Sequence, residues 1–585
     1  MKQFWKTNEK RICLTIGGIL AFFRIAMLLR TPIYAIANAI YDDQLLAKLA
    51  EHLLQGEWLG PYNSVTLVKG ISFSVFLAMA NRLGIPYLLA EGTAYIVAVI
   101  LFLYALRKVL KNQWIRLAAF GFLLYSPSML STFTEQRVYN MALIPTAILL
   151  VAAGCIGMFY SCSEQKKEFY GWTILEVISF VFFWHLRNES IWYLPFVMAA
   201  CGCSAFCIAV NFGRRKKTVL RCICCLLPFV GIYASNEIIA QINENHYGVH
   251  LVNDRSEGAE AELMTLLLSI DEEKSIAAMG EDYTYKSMNK HYSKNVWIPR
   301  EVIELAMENS PTFETIHKYV SELYEGKWNS MSTSVNAVMG DSFIWAIREA
   351  MLNAGYYHEN AVETEAFYQS VVDELEEAFE QGRLVKDDKI HLSALSRGIS
   401  KDDIPEIVEG VKAAFGSLIT EEYTYVGLRD ADGNIEEVRY FEALTGALAE
   451  YGYTLGIQDS EMSFGNLVVQ RSNKIIRIYQ KTGTLRFVGS IIAFLILTVI
   501  LVKRIKEKKF FLIGEWLITL GMLGTLLLFT SAVVTFSSFL GTVFVYYHYL
   551  TPGLVLIDII ETLMLFGGLD QLIRFWLNKR HTDHK

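Results

Sequence analysis

Hydrophobic positions along this 585-residue chain fall into two blocks with a polar one between them. Residues 12–239 and 484–577 are mostly apolar runs, whereas 240–482 are rich in Glu, Lys, Asn and Tyr and read like a water-facing protein. Crossing a bilayer core takes about 20 apolar residues. Windows 87–106, 139–160, 190–210, 219–239, 484–502 and 510–531 meet that length. The first apolar run is interrupted by Arg24 and Arg30. It reads as a tilted helix with one arginine turned towards other helices and one snorkelling to the boundary. It leads into Arg30-Thr31-Pro32 without a small-residue cleavage site, so it reads as an anchor and not as a cleaved leader. Residues 70–83 are apolar but short and read as a juxtamembrane or re-entrant helix; 532–547 is ambiguous in the same way.

Charge then sets an orientation. Basic residues cluster in short loops at Lys2–Arg11, Arg107–Arg116, Lys166–Lys167, Arg214–Lys217, Lys503–Lys509 and Lys579–Lys585. Loops of this kind stay in the cytoplasm. About ten spans with both termini inside satisfy all of them. The expected architecture is thus a polytopic α-helical membrane protein in the plasma membrane. Residues 1–239 form an N-terminal transmembrane module, 240–482 an extracytoplasmic domain between spans seven and eight, and 483–585 the C-terminal transmembrane helices. The net charge of −7 and the scattered basic loops report topology and argue against nucleic acid as a partner.

The polar segment reads as mainly helical with a small β part. Amphipathic runs occur at Ala259–Ile270 and Glu301–Glu308, another helix begins near Gly340, and Glu363–Gln381 carries a solvated acidic face. Alternation between Tyr423 and Tyr440 around Asp430-Ala431-Asp432-Gly433-Asn434 predicts a hairpin. A calcium loop is rejected there, because Ile435 and Phe441 stand where Gly and Glu are required. All nine cysteines lie outside the polar segment, which therefore folds without disulfides. The Cys222, Cys224, Cys225 cluster lacks paired zinc spacing and reads as small apolar helix residues.

Ionisable groups at membrane boundaries are costly and mark candidate sites. Three clusters share the non-cytoplasmic boundary: Asp42-Asp43, Glu135-Gln136-Arg137 and His185-Leu186-Arg187-Asn188-Glu189, with Lys69 beside them. Each charge alone has a bland reading as a helix-end anchor. As a set, carboxylates and cations on one surface suit transfer from a phosphate-linked donor, where a base activates an acceptor hydroxyl and cations receive the phosphate. The amphipathic stretch Gln44–Gln55 reads either as an interfacial helix or as packing against the bundle.

The elements Tyr41-Asp42-Asp43-Gln44, Gly56-Glu57-Trp58-Leu59-Gly60-Pro61 and Lys69-Gly70, with Arg187-Asn188-Glu189-Ser190-Ile191-Trp192 and Tyr549-Leu550-Thr551-Pro552, resemble the GT-C class of integral membrane glycosyltransferases. They look especially like an uncharacterised bacterial group of such proteins; Asn188 stands where that group often carries Glu. The resemblance implies an outer-face enzyme moving a sugar from a polyprenyl-phosphate donor to a glycan, lipid or protein acceptor of the cell envelope. It implies Asp42 as catalytic base and Asp43 as acceptor-orienting or metal-holding residue. It implies Lys69, Arg137 and Arg187 on the lipid-linked phosphate, with Glu135, His185 and Glu189 lining the site. The cofactor is unknown, and a divalent cation held by Asp43, Glu135 and His185 is left open. Two other readings stay open: a transporter or flippase of lipid-linked glycans, and a non-catalytic GT-C-like scaffold.

Overall fold

The computed structural model describes residues 2–162, 167–212, 216–278, 297–325, 337–391, 398–427, 429–450, 463–504, 510–537 and 548–582. Lys166, Arg214, Arg215, 505–509, 538–547 and Lys585 lie outside the described residues. The described chain is largely helical, in keeping with a helical membrane protein. The first part of the bundle comprises α1 (Lys2–Leu28), α2 (Asp43–Gln55), α3 (Ser72–Arg82), α4 (Tyr87–Ala105), α5 (Gln113–Leu124), α6 (Ile144–Ser161), α7 (Glu168–Trp184), α8 (Leu194–Phe212), α9 (Lys216–Cys224) and α10 (Leu227–Tyr247). Among the described residues seven helices are long and apolar enough to cross a membrane, or eight if Thr218–Cys224 and Leu227–Tyr247, bent by 45°, count as one broken span. The apolar helices α5 and α7 are shorter, at 12 and 17 residues. The stretch 70–83 folds as α3, 11 residues long.

The bundle is built around α6, which is apolar on every face and buried along nearly its whole length. Gly154 and Gly157 let α7 approach it closely. A Cβ on Gly157 would stand 2.1 Å from the Trp172 ring, and one on Gly154 2.9 Å from the Glu176 backbone. Small residues at such spacing are what close helix pairs in apolar surroundings require. Arg24, interrupting the first run, is buried and ion-paired to Glu135, whereas Arg30 is exposed.

The segment 240–482 divides in its packing. Residues 247–384 enclose a core of their own, built from helices Ala259–Ser269, Arg300–Glu308, Gly340–Ala354 and Val362–Glu380 and a two-stranded antiparallel pair, Trp297–Pro299 with Ala337–Met339. Residues 414–449 instead contribute Ala414, Leu418, Val438 and Phe441 to the core of the bundle. The hairpin expected around Asp430–Asn434 is absent. Asn434 caps a helix, Ile435–Thr445, accepting from the Glu436 and Glu437 amides while Glu437 returns a bond to the Asn434 amide. This reciprocal cap satisfies amides that a hairpin would have paired across strands. Extended residues 33–37 run beside it, with the Ala37 amide donating to the Asp432 carbonyl at 2.7 Å.

Helix α2 joins the two cores. Leu46, Ala47 and Ala50 face the bundle, and Leu45 and Leu49 face the unit 247–384. The amphipathic helix is thus packed on both faces. Further ties are Trp58 Nε1 to Asn243 (2.8 Å), Tyr62 to Thr364 (2.5 Å), and Tyr41 stacked on Trp345 at 4.4 Å.

Within the unit, buried Arg348 donates to both oxygens of Glu260 and pairs with Asp254 at 2.6 Å. One guanidinium cannot balance two buried carboxylates, and burial pushes Asp254 up to about 8. Because its folded value lies above the ordinary 3.8, the protonated form favours the fold, and stability falls as pH rises between 3.8 and about 8. Asp254→Asn, which mimics the protonated acid, should therefore cost no more than about 1 kcal/mol at neutral pH. It should also flatten that slope, whereas Glu260→Gln loosens the unit more. Protease resistance of 247–384 across a pH series compares the variants; equal losses from both would contradict the assignment of the proton to Asp254.

Candidate functional site

The site begins at the turn into α2. Asp42 precedes the helix and Asp43 opens it. The two neighbours diverge completely in environment. Asp43 is fully buried and takes a two-pronged ion pair from Arg137, Nε at 2.9 Å and Nη2 at 2.5 Å. The Asp42 side chain keeps 47% of its surface open, with protein walling the rest. Its Oδ1 accepts from Lys69 Nζ at 2.6 Å and from the Tyr139 hydroxyl at 3.0 Å. Burial pushes the Asp42 carboxyl up, but Lys69, Arg137 and Tyr139 together hold it below its ordinary value. Burial likewise raises Asp43, and Arg137 works against that rise. Burial and the Asp42 charge keep the Tyr139 phenol protonated, so it remains a donor.

Local backbone explains how Arg137 arrives. A π-type turn, Thr132–Gln136, ends in extended Arg137, whose neighbours pair with residue 34: Tyr34 N to Gln136 O at 2.8 Å and Val138 N to Tyr34 O at 3.3 Å. Single π turns recur at functional sites because they re-aim side chains. The guanidinium then lies over the Tyr139 ring, 4.3 Å from its centroid.

Lys69 and Arg187 come from two turns pressed together. The Ser72 amide donates to the His185 carbonyl at 3.0 Å, and a Cβ on Gly70 would stand 2.4 Å from that same oxygen. Gly70→Ala must therefore push the two turns apart. We expect a loss of about 1–3 kcal/mol in detergent-solubilised protein, read as a lower unfolding temperature. Gly171→Ala, with nothing within 4 Å, serves as the unaffected control. Equal behaviour of the two variants would contradict this close approach.

Arg187 pairs with Glu189 at 3.2 Å, and Tyr549 closes over it with a ring centroid 5.7 Å away. The surrounding protein pushes the Glu189 carboxyl up, while Arg187 and then Arg255 hold it below its ordinary value. His548 stacks near Tyr139 at 5.6 Å; burial, then Arg137 and Arg187, hold its imidazole far below the usual range and hence neutral.

Six of the eight candidate residues thus share one cluster: Asp42, Asp43, Lys69, Arg137, Arg187 and Glu189. The other two turn elsewhere. Glu135 is committed to Arg24 inside the bundle, and His185 Nε2 bonds Ser235 at 2.8 Å. Asp43, Glu135 and His185 therefore each hold a different partner and do not converge as a metal set. No group of three His, Cys, Asp or Glu among the described residues has that arrangement. Tyr139, His548 and Tyr549 are site residues that charge alone did not reveal. Elsewhere in the bundle, Thr173, Ile174, Val177, Ile178, Val230 and Gly231 line an apolar groove of about 350 Å³ between α7 and α10.

No family model, no curated protein and no solved structure matches this chain.

Proposed function

We propose that the protein is a membrane glycosyltransferase that moves a sugar from a polyprenyl-phosphate donor to a cell-envelope acceptor. In this reading the cluster and the unit 247–384 face outward and both termini face the cytoplasm. The observation that carries it is Asp42: a half-exposed carboxylate, kept ionised by Lys69, Arg137 and Tyr139, with Arg187 in turn in the field of Tyr139. Both of its hydrogen bonds among the described residues fall on Oδ1, so Oδ2 is the oxygen that takes a proton.

The acceptor hydroxyl gives its proton to Asp42 as its oxygen bonds the anomeric carbon of the donor. The bond from that carbon to the phosphate oxygen breaks, and the phosphate leaves with the electron pair. Lys69 and Arg187 receive the charge that develops there. Arg137 works through Asp43, fixing the turn that presents Asp42 and adding positive potential. The test supplies radiolabelled polyprenyl-phosphate sugars to membranes with and without the protein. Label leaving a donor only when the protein is present supports transfer; a full panel left unconsumed rejects it.

One observation favours transport instead. Ionisable residues lie within the apolar helices themselves: buried Glu91, Asp558 and Glu561, and half-buried Arg486, which bonds Glu561 and, from outside those helices, Glu421 at 2.7 Å each. Charges inside spans are common in ion and substrate pathways. Movement of a labelled lipid-linked glycan across vesicles, without sugar transfer, would decide for that reading.

A further inference from the structure

A second ionic cluster, sharing no residue with the one around Asp42, lies inside the bundle. Glu421 caps the end of helix Ile404–Thr420, Arg486 lies midway along Ser463–Arg504, and Asp558 and Glu561 lie on Thr551–Glu561. Glu561 is 0% exposed, Asp558 4% and Glu421 5%, so all three carboxyls are out of reach of bulk water. Arg486 donates from Nε to Glu561 Oε2 and from Nη2 to Glu421 Oε1, both at 2.7 Å. Its Nη1 goes to the Tyr479 carbonyl at 2.9 Å and to the Thr482 hydroxyl. Asp558 Oδ2 accepts instead from the hydroxyls of Ser126 and Ser128, just after α5.

Fully ionised, the cluster sets three negative charges against one positive. Among the described residues Arg486 is the cation whose charge reaches these carboxylates. The other titratable groups beside them are phenols that donate to carbonyls, Tyr479 to Phe122 and Tyr95 to Leu123. Helix Phe510–Ser537, which packs on the same elements, carries Glu515, and that carboxylate is bonded to Tyr160 at 3.0 Å. Uncompensated charge in an interior without water is heavily penalised, and a carboxyl avoids the penalty by taking a proton. The oxygens agree with that count. Glu421 Oε2 and Glu561 Oε1 are both buried, and neither meets a hydrogen-bond partner among the described residues. Burial pushes the Glu421 carboxyl well above its usual range; Asp558 adds to the rise and Arg486 opposes it. Among the described residues no three His, Cys, Asp or Glu side chains are placed to hold a metal ion, so the positive charge that fits here is a proton.

We propose that Glu421, Glu561 and Asp558 form a proton-binding site around Arg486, whose four groups hold two exchangeable protons at neutral pH and are together uncharged. The protons belong to the group and not to single residues, because one guanidinium serves two of the three carboxyls. A π turn, Thr562–Phe566, follows Glu561 directly, and such turns recur at functional sites. The site stands whether or not the Asp42 cluster transfers sugar, and its test reads protons directly.

Purified protein in phosphatidylcholine nanodiscs at neutral pH is compared with Glu421→Gln and Glu561→Gln by infrared spectroscopy. Each substitution puts a neutral isostere in place of the acid, so both variants should unfold within about 4 °C of wild type. Wild type minus either variant should leave the carbonyl band of a protonated carboxylic acid, and D2O should shift that band. The double variant should lose about twice the band area of either single one, since it leaves Asp558 and Arg486 as a neutral pair. Glu422→Gln, at the exposed neighbour, should leave only a carboxylate band. Carboxylate bands from both cluster variants, or an acid band that D2O leaves in place, overturns the proposal. So does a large fall in unfolding temperature for both, which is what removing an ionised partner of Arg486 would cause.

Discussion

Asp42→Asn should lower sugar transfer by about 10²–10⁴-fold at unchanged expression, the usual worth of a positioned general base. The substitution is nearly isosteric, and the asparagine oxygen still accepts from Lys69 and Tyr139. What it cannot do is take the acceptor proton. The loss should therefore fall on turnover, with donor capture in nanodiscs preserved. The pH profile gives a second readout. Asp42 is held below its ordinary 3.8, so the wild-type rate should persist as pH falls through the range where free carboxylates protonate. It should decline only at lower pH, where the base gains a proton. Equal transfer by the variant and the wild type, measured with the donor that the panel identifies, would remove Asp42 from the chemistry.

Arg137→Ala should be the most damaging change to the fold at this site. It leaves Asp43 fully buried with no counter-charge, and breaking such a pair costs about 3–5 kcal/mol. The expected result is a large fall in unfolding temperature and in monodisperse yield from detergent. Removing both charges is a different experiment. Asp43→Leu with Arg137→Met replaces the pair by apolar groups of similar bulk and should recover most of the lost stability. If the single variant instead folds normally and loses only donor capture, Arg137 touches the phosphate directly and the structural role assigned to it fails.

The sequence placed Asp42, Lys69, Arg137 and Arg187 together because boundaries between apolar runs are easily read and charges there are rare. The same rule selected Glu135 and His185, and it could not say which way they turn. That depends on helix rotation: Glu135 meets Arg24, more than a hundred residues earlier, and His185 meets an uncharged serine. Tyr139 and Tyr549 carry no charge and left no mark in a charge-based reading. Asn253 and Arg255 sat in a segment whose contact with the membrane module no local pattern announces. The spans were legible from 87–106 to 510–531, since long apolar runs admit few alternatives. The Asp430–Asn434 turn was misread although its signal was present. Asn434 followed three residues later by Glu437 is a helix start, and the alternation around it outweighed that signature.

The Asn188 amide, which donates to the Val68 carbonyl and to Asn253, also bears on how the protein is made. Chains are synthesised from the amino end, so Asp42 and Lys69 leave the ribosome first. Their partners follow in order: Arg187, then Asn253 and Arg255, and last Tyr549, whose ring covers Arg187. A nascent or truncated chain therefore holds Asp42 and Lys69 before the turns that meet them have been made. The cluster is complete only once the segment that carries Tyr549 has been made and covers Arg187.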